Sequence, residues 1–325
     1  MKFYTNVFLL GNDILVRGYE NGKHFTVKEE FYPTFYVPSK KNSEYKTLDG
    51  QSVEPICPGT IRDCKDFLEK YSGVDGFRVY GNDRFIYQYI AEKYPEDEIK
   101  FDINKIKLVT IDIEVAAESG FPDVFNCAEE LLLVTVQDYN TKQITTFGSR
   151  PAKVTQENVN YIYCKDEYAL INSFMDWWQN NTPEVVTGWN CELYDLPYLV
   201  GRISRLMGEK VAKKLSPWNI VRVNEVTISG RKQLSVDIAG VSIIDYLDLY
   251  KKSPATPNQE SYRLDHIAFM ELNQNKLDHS EYDTFRDFYS NNWQKFVEYN
   301  IVDVELVDRL EDKLKLIDLC FTRAF

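Results

Sequence analysis

The 325-residue sequence has only three histidines (His24, His266 and His279) and six cysteines, none of them in a C-x-x-C pair. That scarcity excludes the common structural zinc frameworks, which need four clustered thiolate or imidazole ligands. Scattered thiols of this kind read most simply as free cysteines in a reducing cytoplasm. No apolar run approaches the ~20 residues that span a bilayer, and the opening MKFYTNVFLLGND lacks a signal-peptide pattern. No membrane partner is therefore expected. Net positive charge is missing too: 38 Lys and Arg stand against 50 Asp and Glu, a formal charge of −12. A chain that held nucleic acid by neutralising phosphates alone would be basic. Any such contact must be local, with metal ions offsetting the chain's own acidity.

What is present is an ordinary globular composition, 44% hydrophobic, with 22 Tyr and 19 Phe. The length predicts two domains. Residues 1–104 read as a β-rich α+β domain, with turn signals at Gly11-Asn12 and Asn21-Gly22 and two short helices ending near Gly73 and Pro95. A charged, turn-like boundary falls at about 97–106. From 107 the pattern changes. Strands are expected at 107–115, 130–138 and 142–148, the last two as a hairpin, followed by a strand NYIYC, a helix over 166–180 and a strand in PEVVTGWN. A helix from Asp195 to Met207, a hairpin around ISGRKQL, a strand–helix unit GVSIIDYLDLYKK and one long C-terminal amphipathic helix complete the order. The class is α/β: a mixed sheet with helices on its faces.

Acids occur where core residues belong. In KLVTIDIEV the two-residue period puts Thr110, Asp112 and Glu114 on one face and Val109, Ile111, Ile113 and Val115 on the other. Two carboxylates ~6–7 Å apart demand either water or a cation on that face. Asp195 follows a strand end, where ligand-binding groups gather in open α/β sheets; the alternative is a plain helix N-cap. Asp303 shares the apolar stripe of Phe296, Tyr299, Leu306, Leu310 and Leu314, unless it lies at the solvent margin of that stripe. Tyr299 and Asp303, four apart, are neighbours. Buried acids repel unless protonated or met by a cation. Hard oxygen ligands with little His or Cys suit Mg²⁺ or Mn²⁺. Two such ions ~3.5–4 Å apart would serve phosphodiester hydrolysis. Asp245 and Asp248 are read as helix-start and surface residues.

TIDIEV, TGWNCELYDLPYL and YNIVDVELV resemble, in order and spacing, the three exonuclease motifs of family B DNA polymerases: D-x-E, N-x-x-x-(F/Y)-D and Y-x-x-x-D. The flanking text, including YPTFYVP, VYGNDRFIYQYI and GVSIIDYLDLYKK, is similar to the polymerases of T-even-like bacteriophages. The resemblance covers essentially the whole chain. It implies a ribonuclease H-like exonuclease domain over 105–325, preceded by the smaller N-terminal domain over 1–104. It implies a two-metal 3′→5′ proofreading exonuclease acting on single-stranded or frayed DNA ends in the cytoplasm of an infected bacterium.

By that resemblance Asp112 bridges both metals, Glu114 and Asp303 complete the tighter site, and Asp195 holds the second ion. Tyr299 orients the attacking water. Asn190 and Tyr194 belong to the second motif, with Asn190 at the terminal nucleotide. Phe121, in SGFPD, matches an aromatic wedge against the unpaired end; the plain alternative is a loop anchor. Arg231 and Lys232, with Gly230 at the ISGRKQL tip, match a strand-transfer hairpin, the plain alternative being a surface hairpin. The polymerase motifs of the SLYPS and DTDS kind do not occur, so no DNA synthesis is expected from this chain alone. An engineered fragment and a natural split half both remain open. The implied partners are DNA 3′ ends, the polymerase half in the same or a separate chain, and other phage replisome proteins. The competing reading is a DNA-binding or docking module, idle until its polymerase half joins it.

Overall fold

Alternating apolar strands and two tight turns build the first part of the chain. The computed structural model describes residues 1–95, 99–118 and 120–324. Asp97 and Glu98 of the expected boundary, Ser119 of the Phe121 loop and Phe325 lie outside the described residues. The chain divides into two units, Met1–Phe101 and Asp102–Phe325.

In the first unit β1 (Lys2–Leu10), β2 (Asp13–Glu20) and β3 (Lys23–Glu30) form an antiparallel sheet in that order. Asn21 and Gly22 take positive φ (50° and 78°), as a two-residue hairpin turn between right-twisted strands requires. β4 (Phe35–Pro38) pairs with β5 (Val53–Ile56). α1 (Ile61–Tyr71) starts on a capping box between Thr60 and Asp63, and α2 (Phe85–Lys93) ends two residues before Pro95. Ile14, Val16, Phe31, Phe35, Ile61 and Phe85 make the core of this unit.

The second unit is organised on β6 (Leu108–Val115). β7 (Leu131–Asp138), β8 (Ile144–Gly148) and β9 (Val159–Tyr163) extend the sheet on one side of it. α3 (Glu167–Asn181) then crosses back, and β10 (Val185–Gly188) adds in parallel on the other side of β6. α4 (Asp195–Met207) carries Pro197 in its first turn, where no intrahelical donor is lost. After a short α5 (Glu209–Ala212), β11 (Val221–Ile228) and β12 (Arg231–Ile238) form a separate hairpin whose turn residues Ser229 and Gly230 both have positive φ. β13 (Ser242–Asp245) closes the main sheet, in the order β13-β10-β6-β7-β8-β9. The mixed sheet expected from the sequence is present.

Next in the chain come α6 (Tyr246–Lys252), α7 (Leu264–Leu272), α8 (Phe285–Asn291) and α9 (Trp293–Leu314). The single long C-terminal helix expected from the sequence is in fact two. α9 ends where Lys315 turns left-handed (φ 53°), and α10 (Leu316–Ala324) begins at once. The break is stabilised by the buried Glu311, whose carboxylate accepts the Ile317 and Asp318 amides at 3.0 and 3.3 Å. The turn lets Leu316, Ile317 and Phe321 bury themselves beside α6, gaining ~1.5–3 kcal/mol for each fully buried side chain. Among the described residues no helix is long and apolar enough to cross a membrane.

Candidate active site

The two faces of β6 have different neighbours. Val109, Ile111, Ile113 and Val115 join the core that contains Leu170 and Phe174 of α3 and Leu199 of α4. Asp112 and Glu114, on the alternate face, meet α9, which packs across β6 and β7 with Phe296, Asn300 and Asp303 buried. One carboxylate oxygen from each of Asp112, Glu114 and Asp303 lies within 4.8 Å of the other two, so this group can hold a metal ion. Asp303 is 4% exposed, and its Oδ1 has no hydrogen-bond partner. A buried, unpartnered carboxylate oxygen beside two further acids is the donor set that a hard divalent cation satisfies.

The sequence left open whether this face holds water or a cation. The structure supplies a cation, Lys276, from the segment between α7 and α8. Its Nζ pairs with Asp303 Oδ2 and donates to the Tyr299 hydroxyl at 3.0 Å. Burial works against the ammonium charge, but Asp303, Tyr299 and Asp112 outweigh it and hold Lys276 above the ordinary lysine range. One lysine does not balance four acids. Burial first, then the neighbouring carboxylates, push Asp112 and Glu114 well above the usual range. Burial also lifts Asp303 to about 6, against the pull of Lys276. Tyr299 is raised as well, chiefly by burial and then by Asp303, so its phenol stays protonated at neutral pH.

Asp195 is not the N-cap that its position suggested. Tyr194 occupies the cap, without a side-chain bond, and Asp195 is the first helical residue. Its Oδ1 instead accepts the Ile113 amide of β6 at 3.0 Å, which fixes α4 to the acid-bearing strand. Burial raises it to about 7, although that amide bond pulls the other way.

The acids line a cleft of ≈ 750 Å³ whose walls include Asn190, Tyr194, Tyr299, Lys276 and Phe121. Phe121 is 85% exposed and rests its ring against Tyr194, with centroids 5.2 Å apart. Asn190 sits in the left-handed region (φ 68°) just after β10. Its loop is held by Asp245, which accepts the Asn190 and Glu192 amides at 3.2 and 3.0 Å as well as capping α6. Asp245 is thus a helix start, as expected, and also a brace for the second motif. Asp248 is a surface partner of Lys252. Arg231 and Lys232 are on the β11–β12 hairpin and do not line this cleft; Lys232 pairs with Glu225 across its own hairpin at 2.8 Å.

The family model of the DNA polymerase family B exonuclease domain matches residues 85–267. The chain belongs to this family. Over its whole length this exonuclease-domain chain is 29% identical to the DNA-directed DNA polymerase of Escherichia phage RB69 and 28% identical to that of Enterobacteria phage T4. It spans 38% of the length of each. It is also 28% identical to a DNA polymerase of Choristoneura fumiferana nuclear polyhedrosis virus, over 52% of the chain and 17% of that protein. The matched family span holds Asp112, Glu114 and Asp195 and ends before Tyr299 and Asp303, which α9 contributes.

Two residues beside these acids escaped the sequence reading. Asn300 is fully buried and donates its Nδ2 to Asp112 Oδ2 at 2.6 Å, while its Oδ1 accepts from Thr135, which lies opposite Asp112 on β7. Its spacing from Phe296 and Asp303 was a usable signal, the same one that singled out Asp303. Lys276 had no such signal, because it sits in an irregular segment with no period to place it.

Proposed function

We propose that the chain is a metal-dependent 3′→5′ exonuclease, the proofreading part of a phage-type family B DNA polymerase, with a ribonuclease H-like sheet over 105–325 and an N-terminal domain over 1–104. Its substrate is the single-stranded or frayed 3′ end of DNA. Its partners are the polymerase half, in the same or a separate polypeptide, and other phage replisome proteins, in the cytoplasm of the infected bacterium. The observation that carries this reading is the excess of buried acid around the partnerless Asp303 Oδ1.

Asp112, Glu114 and Asp303 would hold one Mg²⁺ or Mn²⁺, and Asp112 with Asp195 a second. Such ions supply Lewis-acid stabilisation of the attacking and leaving oxygens in phosphodiester hydrolysis. The chain's own residues do the positioning. Asn300 fixes the Asp112 carboxylate from behind, and the Ile113 amide fixes Asp195. Lys276 holds the Tyr299 hydroxyl, and that protonated phenol orients the attacking water without ionising. Asn190 meets the terminal nucleotide, and the exposed Phe121 ring on Tyr194 offers a surface against which an unpaired base stacks. Stacking of this kind tolerates every base, as removal of any mismatched end requires.

The test is nucleotide release from a 5′-labelled oligonucleotide in Mg²⁺ or Mn²⁺. The intact chain should give a ladder shortened from the 3′ end, and Asp112→Ala and Asp303→Ala should abolish it. Undiminished cleavage by both variants would overturn the assignment.

A further inference from the structure

Among the described residues lining the acidic cleft there are two cations, Lys276 and Arg286. Lys276 is committed to Asp303 and Tyr299. Arg286, on α8, is paired differently. Its Nη1 lies 2.8 Å from Glu118 Oε2, and Glu118 Oε1 accepts the hydroxyl of Tyr289, also on α8, at 2.8 Å. Glu118 belongs to the segment between β6 and β7 that carries Phe121. The ion pair therefore ties the Phe121 segment to α8 within the wall of the cleft.

As a staple this pair is weak. The Arg286 and Glu118 side chains are 59% and 44% exposed, and solvent-exposed ion pairs contribute little to stability. Its electrostatic position is less ordinary. A polyanionic strand entering a cleft that already holds Asp112, Glu114, Asp195 and Asp303 meets one cation not engaged by those acids. A guanidinium also presents parallel donors that match two phosphate oxygens as well as they match a carboxylate.

We infer that Arg286 is a backbone-phosphate contact and that Glu118 is its competing partner before a strand binds, released by carboxylate-for-phosphate exchange on binding. Glu118 remains anchored through Tyr289, so the Phe121 segment keeps one tether while the guanidinium changes partner. The inference rests on the nuclease reading above and names a substrate-contacting residue for it.

The two roles give opposite signs. Affinity of the full chain for a fluorescein-labelled single-stranded oligonucleotide is read by anisotropy in Ca²⁺. Glu118→Gln keeps an acceptor for Tyr289 but removes the competing charge, and it should bind about three- to tenfold tighter. Arg286→Ala should bind about five- to tenfold weaker and reduce the salt slope by ~0.7, the share of one phosphate contact on a single strand. Arg286→Lys should recover part of the loss, and the double variant should match Arg286→Ala. Thermal melting of each variant near that of the unaltered chain separates these effects from misfolding. If both single variants weaken binding alike, the pair is only a staple and the exchange is wrong. Binding that ignores both variants also overturns the exchange but leaves the nuclease reading standing. No binding by the unaltered chain overturns both.

Discussion

Two of the buried charge clusters in the second unit are treated in opposite ways. Between α3 and α4, Arg202 and Glu167 form a bidentate pair with both contacts at 2.7 Å. Further bonds support the pair: Glu167 also accepts the Leu131 amide, and Arg202 donates to the Cys127 and Ala128 carbonyls. Where β6, α4 and α9 bring four acids together, one lysine is present among the lining residues, and an Asp303 oxygen has no partner. The first set is closed and serves the fold. The second is open by one or more positive charges, and that deficit separates a site from a structural ion pair.

Removing a charge should therefore have opposite consequences in the two places. Glu167→Gln leaves the Arg202 guanidinium buried without its counter-charge and should destabilise the chain by about 3–5 kcal/mol in urea unfolding. Asp112→Asn relieves repulsion while keeping an acceptor for Asn300, and should stabilise the metal-free chain by about 1–3 kcal/mol. It should at the same time abolish nucleotide release. Destabilisation by both substitutions would erase the distinction.

Titration sharpens the contrast. Asp195 is lifted to about 7 and Asp303 to about 6, whereas acids in an unfolded chain titrate near ~4. Between those values the folded chain binds more protons than the unfolded one, so the contribution of these acids to metal-free stability is lost as pH rises through 6 and 7. The melting temperature of the metal-free chain should fall by several degrees from pH 5.5 to pH 8. Asp112→Asn should flatten that slope, as should saturating Mg²⁺. Smaller effects follow at the periphery. Tyr299→Phe removes one positioning hydrogen bond and no ligand, so cleavage should drop about tenfold with little change in KM. Lys232→Ala, which removes an exposed pair on a hairpin whose tip does not line the acidic cleft, should leave the unfolding midpoint where it was.

The legible parts of the site were those carried by a period. The two-residue alternation of β6 put Asp112 and Glu114 on one face, and the helical stripe of α9 put Asp303 beside Tyr299; both faces are as the patterns require. Local rules failed where long-range contacts decide. Asp195 has the composition of a cap yet spends its carboxylate on a strand 82 residues earlier. Lys276 reaches the acids from an irregular segment, and nothing near it in sequence announces that. The α9–α10 break has no Gly or Pro to mark it; a left-handed lysine and the Glu311 carboxylate make it, and neither is a standard stop signal. The Ser229-Gly230 turn was readable, but where its Arg231 and Lys232 would lie relative to the cleft was not.

The deficit of positive charge is tested most directly by titrating Mn²⁺ into the metal-free chain at pH 7 by calorimetry in two buffers of different ionisation enthalpy. The expected result is saturable binding with proton release, because ions displace protons from acids that burial holds above the ordinary carboxylate range, and its loss in Asp112→Asn. Absence of saturable binding, or equal binding by Asp112→Asn and the unaltered chain, would contradict the proposal that these acids hold metal.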